Sequence, residues 1–99
     1  MKAKTRSYQR LYCNDGFNMS IQASEANYCE PRNNTGPYVS VEIGFPSAID
    51  KRLIPFAEDK SDPTETVYGW VPTRILWEVI TDHGGIKSGE LPPITIGGE

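Results

Sequence analysis

The 99-residue sequence holds a single histidine and two cysteines, and none of its apolar runs approaches the ~18 residues that a membrane-crossing helix needs. His83, Cys13 and Cys29 supply at most three soft ligands, with no CxxC or HxxxH spacing among them. A zinc site takes four ligands, or three and a water, at recognisable spacing, so no metal and no other cofactor is expected. A glycine-rich phosphate cradle is missing too: Gly84-Gly85 and Gly97-Gly98 follow no strand-to-helix pattern. The opening MKAKTRSYQRLYC is basic but lacks the apolar segment of a secretion signal. A soluble protein of the cytoplasm is therefore expected, with no disulfide. The sequons at Asn18-Met19-Ser20 and Asn33-Asn34-Thr35 then have no meaning.

What is present fits one small domain. A chain of this length has room for one core and buries roughly 60–68% of its unfolded surface. Its 8 prolines and 9 glycines point to many turns. Net charge is −3, unevenly placed: residues 1–10 carry +4 and the other 89 carry −7. Glu58, Asp59, Asp62 and Glu65 cluster in one loop. The basic arm reads as a solubilising strand edge. The acidic body argues against direct nucleic-acid binding, which needs a basic surface, and suits contact with a basic protein surface better.

Periodicity places the elements. Residues 6–13 read as a strand with Tyr8 and Tyr12 on one face, Leu11 and Cys13 on the other. Asp15-Gly16 is a hairpin signal. The run FNMSIQA alternates, with Phe17, Met19, Ile21 and Ala23 inward, as in a half-buried antiparallel strand. Residues 38–45 repeat the pattern: Val39, Val41, Ile43 and Phe45 inward, Tyr38, Ser40 and Glu42 outward. From Pro46 to Thr64 the alternation is lost, and a long excursion with a short extended piece near 52–56 is expected. TVYGWV restores a strand. Pro72 then opens a helix whose Ile75, Leu76, Val79 and Ile80 form one apolar stripe, closed by His83-Gly84-Gly85.

The fold class expected is α+β: an antiparallel sheet of four or five short strands with one helix, near residues 72–83, packed on one face. The domain spans 1–99. Its tail, 86–99, has one extended scrap at 94–96 that either lies along a sheet edge or is loose. A homodimer is expected if the helix covers the sheet only in part.

NYCEPRNNTGPY, residues 27–38, is the stretch richest in chemistry. It joins two strands by some thirteen residues, stiffened by Pro31 and Pro37. Tyr28, Arg32, Asn33, Asn34 and Tyr38 have the composition that binding surfaces favour. The alternative is a hairpin loop whose asparagines satisfy its own backbone. Trp70 reads as core. Trp77 borders the apolar stripe, and reads as core or, if it faces outward, as a partner surface. Arg74, with Arg32 and nearby aromatics, would serve a nucleotide ligand. Cys29 and His83 invite a thiol-nucleophile reading. It fails for want of any local signature, and His83 is explained as a helix-end residue.

The blocks YCNDGFNMSIQASEANYCEPRNNTGPYVSVEIGFPS and ETVYGWVPTRILWEVITDHGG resemble small accessory proteins encoded by bacteriophages, over the middle two thirds of the chain. The shared texture is the hairpin, the YCxPR loop and the helix ending in HGG. The resemblance implies a class: small acidic proteins that interfere with host machinery by binding it. Its anti-defence members, anti-CRISPR proteins included, block a nucleic-acid surface or sequester a signal nucleotide. On this basis a non-enzymatic inhibitor of a host defence protein is expected, acting in the host cytoplasm. A sponge for a signal nucleotide is the alternative.

Overall fold

The computed structural model describes residues 7–96. Five strands form one antiparallel sheet, in the order β4-β3-β2-β1-β5: β1 Leu11–Cys13, β2 Asn18–Gln22, β3 Ser40–Gly44, β4 Val67–Pro72 and β5 Ile86–Ser88. One helix, α1 Thr73–Asp82, follows β4 directly. This is the α+β class that the alternating strands and the single helical stripe predict.

The inward sets of the strands and the stripe of α1 meet in one core. Leu11, Cys13, Met19, Ile21, Val41, Ile43, Tyr68 and Val71 from the sheet pack with Leu76, Val79 and Ile80 from the helix. Burying an aliphatic side chain of this size stabilises by roughly 1.5–3 kcal/mol, so these residues dominate the fold. Ile75 packs at the margin of the core, and Thr73 takes the buried place that the stripe left for it.

Two bulges displace side chains from the strict alternation. Glu30 forms an isolated bridge with Ser40, and its carbonyl accepts from the amides of both Val39 (2.8 Å) and Ser40 (3.3 Å). Two residues thus oppose one, which shifts the phase of the strand by one position. Tyr38 is buried and Val39 exposed, the reverse of the expectation. The second bulge is on β4. Val41 pairs with Val71 and Ile43 with Tyr68, so Gly69 and Trp70 together oppose Glu42. Trp70 adopts a left-handed backbone, φ 50°, and its side chain is 51% exposed instead of core. Phe45, expected inward, also has a positive φ (49°) and lies exposed past the end of β3.

Other boundaries differ too. The first strand is three residues long, and residues 7–10 precede it without strand structure. Near 52–56 the chain makes a 3-10 turn, Ile54–Phe56, instead of an extended piece, with Leu53 fully buried before it. In the tail, β5 pairs with β1, and Ile94 forms a parallel bridge to Tyr38.

Helix α1 is fixed at both ends. The Thr73 amide donates to the Val39 carbonyl (3.0 Å) and its hydroxyl to the Thr95 carbonyl (2.6 Å). At the other end, the amide of Gly84 reaches Thr81 O (3.1 Å) and that of Gly85 reaches Ile80 O (2.9 Å), a Schellman closure. Gly84 has φ 93°, a conformation in which a side chain is strained. The β1–β2 turn seizes this closure. Asn14 N donates to Gly85 O, Asp15 N to His83 O, and Asn14 Nδ2 to Gly84 O at 2.7 Å.

Candidate functional site

Within the loop 27–38, Cys29 and Tyr38 join the core, while Tyr28 stands against the outer face of the sheet, the side opposite to buried Val41 and Ile43. Glu42 projects there from β3, and its Oε1 accepts from the Tyr28 amide at 2.9 Å. The Tyr28 carbonyl in turn accepts from the Trp70 amide at 3.0 Å. The backbone of Tyr28 is thereby clamped between β3 and the bulge of β4. Gly69 makes room for it: a Cβ at 69 would stand 3.3 Å from the Tyr28 Cβ.

The consequence is a stack on the surface. The rings of Tyr28 and Trp70 lie 4.7 Å apart at 25°. The Arg32 guanidinium sits over the Tyr28 ring, 5.5 Å from its centroid. All three side chains are exposed. A non-glycine residue in the left-handed region costs on the order of 1–3 kcal/mol and persists where the surroundings enforce it, commonly at binding or catalytic sites. Here the enforced residue is the tryptophan that opens the stack to solvent.

The rest of the loop is scaffold for that stack. Asn33 Oδ1 accepts from the amides of Thr35 (3.0 Å) and Gly36 (2.9 Å), and Asn34 Oδ1 accepts from the Glu25 amide (2.9 Å). Tyr38 is not a contact residue. It is 1% exposed, and its hydroxyl donates to Asn33 O (2.8 Å), so the loop is wound around its ring. Gly36, φ 68°, passes so close that a Cβ would lie 2.8 Å from that ring. The Glu30-Pro31 and Gly36-Pro37 bonds are cis. Cys29 is buried, with its Sγ–H directed at Ser24 O (3.2 Å), and burial pushes the thiol up from its usual value.

Arg74 and Trp77 stand elsewhere. Both are exposed on α1, three residues apart and so on one face, and Trp77 is 44% exposed where core was the simpler expectation. Among the described residues no hydrogen bond, ion pair or ring contact joins either of them to the loop. Sequence reasoning missed Trp70 as a site residue. The signal available was the Gly69-Trp70 pair inside a strand, since glycine there marks a bulge or a close backbone approach.

A second cluster surrounds His83. Its ring stacks on Phe17, with centroids 4.0 Å apart at 10°. Nδ1 faces Asp15 Oδ2 at 2.7 Å and Nε2 faces Asp50 Oδ2 at 3.2 Å. Asp50 also holds Arg52 in a two-pronged pair (2.7 and 3.0 Å), and Arg52 reaches on to Asp82 and to Glu78 O at the helix end. The Arg52 hydrogen bond holds the Asp50 carboxyl down at about 2. Asp15 is lowered by the Phe17 amide and then by His83. Both ring nitrogens of His83, both oxygens of Asp50 and the Arg52 guanidinium are directed at other groups of the fold.

Beside it a shallow hollow of about 420 Å³ opens between the β1–β2 turn and β5, lined by Tyr12, Asn14, Asp15 and Lys87 among others. Its carboxylate, Asp15, is already held by His83 and Phe17. No helix of the described residues is long and apolar enough to cross a membrane. The chain matches no family model, no curated protein and no solved structure.

Proposed function

We propose that this chain is a binding protein of the host-interference kind, which inhibits a host defence protein by occupying its functional surface through the Arg32–Tyr28–Trp70 stack. The observation that carries this reading is Trp70. A large aromatic is kept half in water by an unfavourable backbone conformation, beside a tyrosine and an arginine. Tryptophan, tyrosine and arginine are the residues in which interface energy concentrates. The stack rests on a rigid sheet and a loop tied by its own asparagines, so little ordering cost remains for binding.

A second reading, a sponge for a signal nucleotide, draws on the same planar stack, since a base can lie on Trp70 and an arginine can meet a phosphate. Thermal melts against a nucleotide panel separate the two, because a tight ligand raises the midpoint by mass action. The main experiment immobilises the wild-type chain and its Tyr28→Ala, Trp70→Ala and Trp77→Ala variants in bacterial lysate. A captured protein that is lost with the first two, while their melts stay cooperative, and kept with the third supports the stack as the contact. Capture that ignores Tyr28 and Trp70 sinks it.

A further inference from the structure

We infer that the open face of Trp70 receives an arginine guanidinium presented by the partner, so that the surface recognises an arginine-bearing basic protein segment. This rests on the binding reading above and names the group that the stack is shaped to take.

One face of the indole is covered by Tyr28, and yet half of the residue is exposed. No other ring of the described residues is stacked on the indole, so its exposed half is open to a partner. A planar group fits there, and three kinds are available: a nucleobase, another aromatic ring, or a guanidinium. The charge around the site selects among them. Residues 7–96 hold seven arginines and lysines against twelve aspartates and glutamates, a net of −5. Glu42 lies under Tyr28. Glu58, Asp59, Asp62 and Glu65 are exposed in the loop leading into β4, with no ion pair to a described cation. From Glu65 to Trp70 the chain advances five residues, on the order of 15 Å at strand spacing, within reach of one short extended peptide.

A nucleotide would bring its phosphates to Arg32, the cation at the stack, but against the negative field of the acids around it. A neutral aromatic would gain nothing from it. A guanidinium gains from both the field and the ring, since indole is the best cation–π acceptor and the planar arginine head stacks where an ammonium does not. The protein uses the same contact internally, with Arg32 over Tyr28.

The test uses the Trp77→Phe variant, whose remaining tryptophan is Trp70. Its indole N–H resonance and fluorescence are followed at low salt during titration with three probes: the capped peptide Arg-Gly-Arg-Gly-Arg-Gly, its lysine counterpart, and AMP. The expected result is a saturable Trp70 shift with the arginine peptide, at least about fivefold tighter than with the lysine peptide. It should weaken as salt rises, and AMP should leave the resonance in place. Equal binding of the two peptides means charge attraction alone and overturns the inference. So does AMP binding as tightly as the arginine peptide, which would favour the nucleobase. Silence from both peptides overturns it too. If lysate capture still depends on Trp70 while the peptides fail, the binding reading stands and only the guanidinium falls.

Discussion

Two clusters in this molecule are made of the same materials. Each pairs stacked rings with an arginine and an acid: Phe17–His83 with Arg52 and Asp50 at the end of α1, and Tyr28–Trp70 with Arg32 and Glu42 on the outer face of the sheet. They differ in closure. In the first, both histidine nitrogens face carboxylates, and the arginine bridges a carboxylate to the helix end. In the second, the arginine, the tyrosine ring and half of the tryptophan remain in water. The first ties three segments of chain together. The second is tied down by its backbone, and its side chains are left over. The composition of a cluster does not say which of these it does; the direction of its polar groups does.

That contrast is broken most sharply at Asp50. Asp50→Ala removes a carboxylate that is only 7% exposed and leaves Arg52 and His83 without their shared anion. The expected loss in urea unfolding is about 2–3 kcal/mol, at or below the lower end for a fully buried pair because Arg52 keeps Asp82 and His83 keeps Asp15. A loss below about 1 kcal/mol, typical of a surface pair, would make the cluster decorative.

Acid gives the next effect. Asp50 titrates at about 2 in the fold, below an unfolded aspartate near 3.9, so the unfolded chain takes up its proton first as pH falls. Its contribution is complete above about pH 4 and fades as pH drops toward 2, a loss of roughly 2 kcal/mol. Asp50→Asn should flatten that part of the stability–pH curve, while Arg32→Ala should leave it as it is.

At the stack, large effects move from stability to binding. Trp70→Gly removes the ring contact, worth about 0.5–1.5 kcal/mol, but also relieves a left-handed tryptophan. The two nearly cancel, so the unfolding free energy should change by less than about 1 kcal/mol. Binding to a captured partner should fall by about 2 kcal/mol or more. The smallest stability change belongs to Arg32→Ala, within about 0.5 kcal/mol for an exposed loop residue, again with at least ~2 kcal/mol lost in binding. Lost folding in either variant would place the stack with the first cluster.

The sheet and helix were legible because period-two and helical spacing record burial directly: Met19, Ile21, Val41, Ile43, Leu76 and Val79 all face the core as their spacing predicts. The outer surface was not. A bulge inserts one residue without altering composition, so the exchange of Tyr38 and Val39 has no mark in a pattern of apolar residues. Trp70 is harder still, because a left-handed site is ordinarily announced by glycine, and here glycine occupies the position before it. Of the loop residues expected to bind, Tyr28 and Arg32 come together, whereas Asn33 is spent on the loop's own backbone and Asn34 on the Glu25 amide just before it. An asparagine's partners depend on which amides the turn brings within reach, and spacing carries no record of that.

The sheet order has a consequence for synthesis. β1 finds β2 across a short turn, but its other edge is covered by β5, which pairs Cys13 with Ile86. A nascent chain emerging at about 5–20 residues per second must therefore carry β1 with one bare edge until β4, α1 and its glycine closure have all appeared. The late pairing bears a loop-closure entropy that the early hairpin escapes. A chain halted before residue 86 would keep its helix stripe and most of its core, and would display an unpaired strand beside Tyr12 to any neighbour. With only three residues, β1 offers that neighbour a short template, and brevity guards a strand edge while it waits for its partner.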